Sequence, residues 1–121
     1  MPYKLAQYAL DCPDPRALAE FYRAITGWEI TYAEGDWVTL RPPGGAGPAL
    51  GFQRVPDYRP PRWPSAEAPQ QAHLEFEADD LDQAGKEVVA LGARPLEGAP
   101  AGAGWRVYAD PVGHPFCLVP A

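Results

Sequence analysis

The chain has 121 residues, enough for one hydrophobic core and too few for two ordinary independent domains. Its net charge of -6 and a pI of about 4.7 argue against nucleic acid or an anionic membrane surface as a partner, since both require a positive footprint. A composition that is 46% hydrophobic and 12% aromatic argues against disorder, although there are 16 prolines. No apolar run has the length of a membrane span, and the opening Met1-Pro2-Tyr3-Lys4 lacks the apolar stretch of a secretory signal, so a cytoplasmic location is expected. In that compartment Cys12 and Cys117 are expected to be thiols.

In chain order, Lys4 to Cys12 reads as a strand. Asp14-Pro15 then starts a helix, with proline at the first helical position and Leu18, Phe21, Tyr22 and Ile25 recurring at helical spacing. Gly27 ends that helix. Three short strands are expected next, at Trp28 to Ala33, Trp37 to Arg41 and Leu50 to Val55, divided by Gly35-Asp36 and the proline-rich loop of residues 42–48.

The same grammar restarts near Gln71. A strand runs through His73, Leu74 and Phe76, and Asp79-Asp80 cap a helix with Leu81, Ala84, Val88 and Leu91 on one side. Gly92 stops it. A short segment at Arg94 to Leu96, a strand at Trp105 to Ala109 and a last strand at Phe116 to Val119 complete the second half. Sliding the halves by about 65 residues sets Asp14 on Asp80, Gly27 on Gly92, Trp37 on Trp105, and Leu50-Gly51-Phe52 on Phe116-Cys117-Leu118. Both halves read as one β-α-β-β-β unit, duplicated.

The expected fold class is therefore α+β, with a first module at about 4–56, a linker loop at about 57–69 and a second module at about 70–120, all within one domain spanning 1–121. Such a module covers one sheet face with its helix and leaves the other bare, so two modules are expected to make a curved, partly open mixed sheet whose concave face is a pocket. Strand alternation sends Tyr8, Leu10, Leu74 and Phe76 toward the helices. It sends Gln7, Ala9, Asp11, His73, Glu75 and Glu77 into the concavity, with Cys12 on the helix side and Cys117 in the pocket.

The run Asp11-Cys12-Pro13-Asp14 through Phe21-Tyr22 to Gly27-Trp28, and the closing Ala109-Asp110-Pro111-Val112-Gly113-His114-Pro115-Phe116, resemble the vicinal oxygen chelate superfamily. That superfamily includes glyoxalase I, bleomycin-resistance proteins, fosfomycin-resistance enzymes and extradiol dioxygenases. The resemblance covers roughly Lys4 to Val119, and Pro61-Arg62-Trp63-Pro64 with Pro69-Gln70-Gln71-Ala72-His73-Leu74 looks like its glyoxalase-like branch of actinobacterial type. It implies the glyoxalase/bleomycin resistance/dioxygenase fold, a small-molecule ligand and a homodimer. Members with a metal take a ligand from the first and the last strand of each module, typically His or Gln early and Glu late. Carried across, those positions are Gln7, Gly51, His73 and Cys117. Gly51 has no side chain and neither late position is a carboxylate, so no family-type metal site and no cofactor are expected, and glyoxalase I activity is disfavoured. A residual divalent metal would rest on His73 with Gln7.

His73 reads either as a base or as a hydrogen-bonded pocket histidine that orients a ligand. Glu75 stands two residues on along the same strand face, able to pair with His73 as acid and base or to sit at the rim. Cys117 reads as a small apolar filler, or as a nucleophile if something electropositive lowers its pKa. Trp37, Trp63, Trp105 and Tyr108 gather on strands and on the proline-rich loop, where aromatics supply flat apolar area to a concave site. Trp63, held among prolines, has the setting of a lid. With Gln7 and Gln53 these residues form the expected ligand-binding set. The leading function is the binding of a small aromatic or planar metabolite, and the alternative is a lyase or isomerase that works through His73 and Glu75.

Overall fold

The computed structural model describes residues 2–63, 66–97, 99 and 102–121. Pro64 of the Pro-Arg-Trp-Pro run and Pro100 of the later loop lie outside them. The chain forms two compact units, Met1–Tyr58 and Arg59–Ala121. Each has one helix on a four-stranded mixed sheet, an α+β arrangement in which the β-α-β-β-β order occurs twice. Among the described residues no helix is long and apolar enough to cross a membrane.

In the first unit β1 (Gln7–Cys12) leads to α1 (Pro15–Thr26), then β2 (Glu29–Glu34), β3 (Trp37–Arg41) and β4 (Ala49–Arg54). The Asp14 carboxylate accepts the amides of Arg16 and Ala17, satisfying donors that the first helical turn leaves open. Gly27 closes the helix at φ 73°, a left-handed conformation that costs glycine nothing. The sheet order is β1-β4-β3-β2, with β1 parallel to β4. Its helix side is a packed core in which Tyr22 of α1 stacks on Phe52 of β4 at 5.8 Å and meets Phe21 edge-on at 5.0 Å. Leu18, Leu40, Cys12 and Phe52 are fully buried there.

The second unit repeats the plan with β5 (Leu74–Ala78), α2 (Leu81–Ala90), β6 (Arg94–Pro95), β7 (Arg106–Ala109) and β8 (Pro115–Pro120), in the order β5-β8-β7-β6. Asp80 caps α2 as Asp14 caps α1, its carboxylate accepting from the Gln83 amide. The turn between β7 and β8 is set by Asp110, whose carboxylate accepts the amides of Val112 and His114. Phe116 anchors the core, stacked on Tyr108 at 5.7 Å and edge-on to Phe76 at 5.9 Å.

The registers repeat as well. Ala9 pairs with Gly51 and Thr39 with Gly51 in the first unit; Glu75 pairs with Cys117 and Val107 with Cys117 in the second. Gly51 and Cys117 therefore hold the same place in their units, as do Ala9 and Glu75. The strand expected to run through His73 begins one residue later, at Leu74, so His73 sits at its entrance.

Candidate functional site

On the second unit, β5, β8 and β7 lie side by side, and strand alternation turns Glu75, Cys117 and Val107 to the face that α2 does not cover. That face holds a recess of about 500 Å³ lined by Trp63, His73, Glu75, Trp105, Val107 and Cys117, among others. Its walls are mainly apolar, and its polar groups converge on one patch. His73 Nε2 lies 3.2 Å from Glu75 Oε2, with the two side chains 34% and 56% exposed, so the pair is open to a ligand yet ordered by its own hydrogen bond. The imidazole tautomer with its proton on Nε2 donates to Glu75 and leaves Nδ1 as an acceptor. Cys117 beside them is buried and its thiol pKa is raised, first by burial and then by the negative charge of Glu75. The thiol therefore stays protonated at neutral pH and reads as a filler or a latent donor rather than an activated nucleophile.

Two tryptophans wall the recess. Trp63 is fixed by its indole N–H, which donates to the Glu97 carbonyl, and Trp105 precedes β7 with 41% of its surface exposed. Tyr108, expected with these aromatics, lies on the opposite face. Val107 faces the recess, so its neighbour on the strand must face α2, and the Tyr108 hydroxyl abuts Gly85 there. Burial raises the Tyr108 pKa; the Arg106 guanidinium opposes this and Asp82 adds to it. A second recess of about 620 Å³ on this unit is bordered by Pro60, Arg62, Arg94 and Pro111, but Asp110 within it is committed to its turn.

On the first unit the open face carries Gln7, Trp37, Gly51 and Gln53. Trp37 donates its indole N–H to Thr39 Oγ1 at 2.8 Å and so lies flat along the sheet. A Cβ placed on Gly51 would stand 2.3 Å from Trp37 Cζ2 and 3.0 Å from Gln7 Oε1. Gly51 thus supplies no donor atom, and an indole fills the space a side chain would take. The four positions that the resemblance assigned to metal offer an amide, nothing, an imidazole and a thiol. Within the second unit the donor atoms of His73, Glu75 and Cys117 all lie within 4.8 Å of one another. The carboxylate comes from the first strand of the module, not from the last.

Residues 7–119 match the glyoxalase-like domain. The chain belongs to that family. Solved structures with this fold include a glyoxalase/bleomycin resistance/dioxygenase family enzyme from Burkholderia phytofirmans PsJN, at 15% identity and TM-score 0.72, covering 96% of this chain and 97% of that one. The fosfomycin resistance protein FosX from Listeria monocytogenes is 18% identical with TM-score 0.72, over 100% of this chain and 93% of its own. A possible glyoxalase from Bacillus cereus is 16% identical with TM-score 0.70, over 98% and 99%. A mutant of FosX has been crystallised with Mn(II) and 1S,2S-dihydroxypropylphosphonic acid. At these identities the likeness concerns the fold. Among curated proteins none matches this glyoxalase-like chain significantly.

Proposed function

We propose that this glyoxalase-like protein binds a small aromatic or planar metabolite, and that it does so without the four-position metal set of its superfamily. The observation that carries the reading is the recess on the second unit, where Trp63, Trp105 and Val107 give flat apolar walls and the His73–Glu75 pair gives one oriented polar contact. Cys117 belongs to this recess as well, and Gln7, Trp37 and Gln53 are proposed as ligand-binding residues of the first unit's own open face. Tyr108 is left out of it, being turned to α2. Gly51 supports the metal-free part of the reading, because the indole of Trp37 stands where a first-unit ligand would be. The protein is proposed to act in the cytoplasm as a homodimer.

A thermal-shift screen run in EDTA tests this. Planar aromatic metabolites should raise the melting temperature in proportion to the logarithm of their concentration. If stabilisation comes instead from chelating aliphatic diols, and only when a divalent metal is added, the proposal fails.

The 3.2 Å contact between His73 and Glu75 favours one second reading, a lyase or isomerase in which this pair moves a proton on the bound molecule. A His73→Ala variant that turned the ligand over at the normal rate would dismiss it.

A further inference from the structure

One patch of the second unit collects a nitrogen, an oxygen and a sulfur donor that the first unit does not have. The register makes Glu75 and Cys117 direct neighbours across the parallel β5–β8 pair, and His73 lies two residues before Glu75 on the same side. At the matching places the first unit has Gln7, Ala9 and Gly51, a single neutral amide.

We propose that His73, Glu75 and Cys117 form a three-donor site for a thiophilic divalent cation, Zn²⁺ above all, built entirely within the second unit. The three donor atoms lie within 4.8 Å of one another. Bonds of roughly 2.0 to 2.3 Å in tetrahedral geometry bring such donors to roughly 3.3 to 3.7 Å apart, so closure needs a shift of about an ångström. Glu75, more than half exposed, has the freedom to make it. A thiolate with an imidazole is a soft donor set that suits Zn²⁺ and Co²⁺ better than Mn²⁺ or Mg²⁺. Three protein donors leave a fourth position open to water or to an exogenous ligand. This differs from the arrangement implied by the superfamily, in which each module supplies an early and a late donor and the late one is a carboxylate. The site also goes beyond the ligand-binding reading and stands or falls without it.

Binding is a simple exchange: the cation takes the Cys117 sulfur as thiolate, the thiol proton goes to solvent, and nothing is oxidised or reduced. Burial and the Glu75 charge make that proton hard to lose in the free protein. Apparent affinity should therefore fall as pH falls, because the cation competes with a proton for the Cys117 sulfur.

The test uses the full chain, reduced, stripped with EDTA and dialysed, then titrated with Co²⁺ alone. A thiolate-to-cobalt charge-transfer band in the near ultraviolet should grow to one equivalent, with visible bands of four-coordinate intensity, and Zn²⁺ should bleach both. Cys117→Ser should abolish the charge-transfer band. Glu75→Gln, an exposed change whose folding is checked by its melting curve, should keep the band but weaken binding by about tenfold or more. Gln7→Ala should leave the Co²⁺ affinity within about twofold. No charge-transfer band at saturating Co²⁺, or unaltered affinity in Glu75→Gln, would overturn the proposal. So would an affinity that falls with Gln7→Ala, since that is the signature of a cross-module site. Ligand binding in EDTA is a separate readout, untouched by any of these outcomes.

Discussion

Gly51→Ala is the sharpest perturbation of the first unit. Gly51 lies in β4 with Ala9 on one side and Thr39 on the other, so its extended backbone accepts alanine without strain. Reduced freedom in the unfolded chain would then stabilise the variant by about 0.4–1 kcal/mol if space allowed. Space does not allow it. The new methyl group would lie 2.3 Å from Trp37 Cζ2, so the indole must lift off the strand and give up its 2.8 Å bond to Thr39. Overpacking costs about 1–3 kcal/mol and the lost hydrogen bond about 0.5–1.5 kcal/mol. After the backbone gain, a net loss of about 0.5–4 kcal/mol remains, equivalent to a melting temperature about 2–16 °C lower for a chain of this size. The assay is thermal and urea unfolding of Gly51→Ala, Trp37→Val and the double variant. In the Trp37→Val background the alanine should be neutral or stabilising, giving a coupling of about 2 kcal/mol. Equal stability of Gly51→Ala and the parent would refute the seating of Trp37 on Gly51.

The second unit offers a matching cycle at Gly85. A Cβ there would stand 2.3 Å from the Tyr108 hydroxyl but 3.4 Å from its Cζ, so Gly85→Ala should destabilise by about 1–2 kcal/mol and Tyr108→Phe should relieve most of that. Unfolding curves of the two singles and the double decide it, and an unrelieved loss would contradict the contact. Asp14→Ala removes the acceptor for the Arg16 and Ala17 amides and should cost about 1 kcal/mol in the same assay; no loss would remove its role as a cap. The raised Cys117 pKa sets the sign of a pH effect. Folding favours the protonated thiol, so its contribution is fully present below the unfolded-state pKa and is lost as pH rises through the higher folded one. The iodoacetamide rate should accordingly inflect above the ordinary thiol range, and Glu75→Gln should move the inflection down; an unmoved inflection would exclude coupling to Glu75.

Much of this architecture was legible in the sequence because it rests on local rules. Asp14-Pro15 and Asp80 each mark a helix start with an acceptor for orphan amides, and the left-handed Gly27 marks an end. The placing of Gly51 against Cys117 followed from the repeat, and the two registers carry it. Parity also held the means to place Tyr108. Trp105 and Tyr108 are three residues apart, so a strand cannot show both to one face, a distinction that membership of a strand or loop does not carry. Other features had no signal to read. The indole of Trp37 over Gly51 depends on a bond to Thr39, and Trp63 is fixed by the Glu97 carbonyl, a backbone atom 34 residues away. Parity sent His73, Glu75 and Cys117 to one concavity, but their meeting within 4.8 Å needed the β5–β8 pairing, which joins residues more than forty apart in the chain. Side-chain periodicity says which face a residue shows, not which strand lies beside it.

A fluorescence titration in EDTA bears most directly on the central claim. A planar aromatic ligand from the thermal screen should quench the protein saturably, and Trp63→Phe and Trp105→Phe should each remove part of that change. His73→Ala should weaken binding about tenfold, near 1.4 kcal/mol, by removing the oriented polar contact. A quench unaltered in both tryptophan variants, or binding that appears only when metal is restored, would contradict the account.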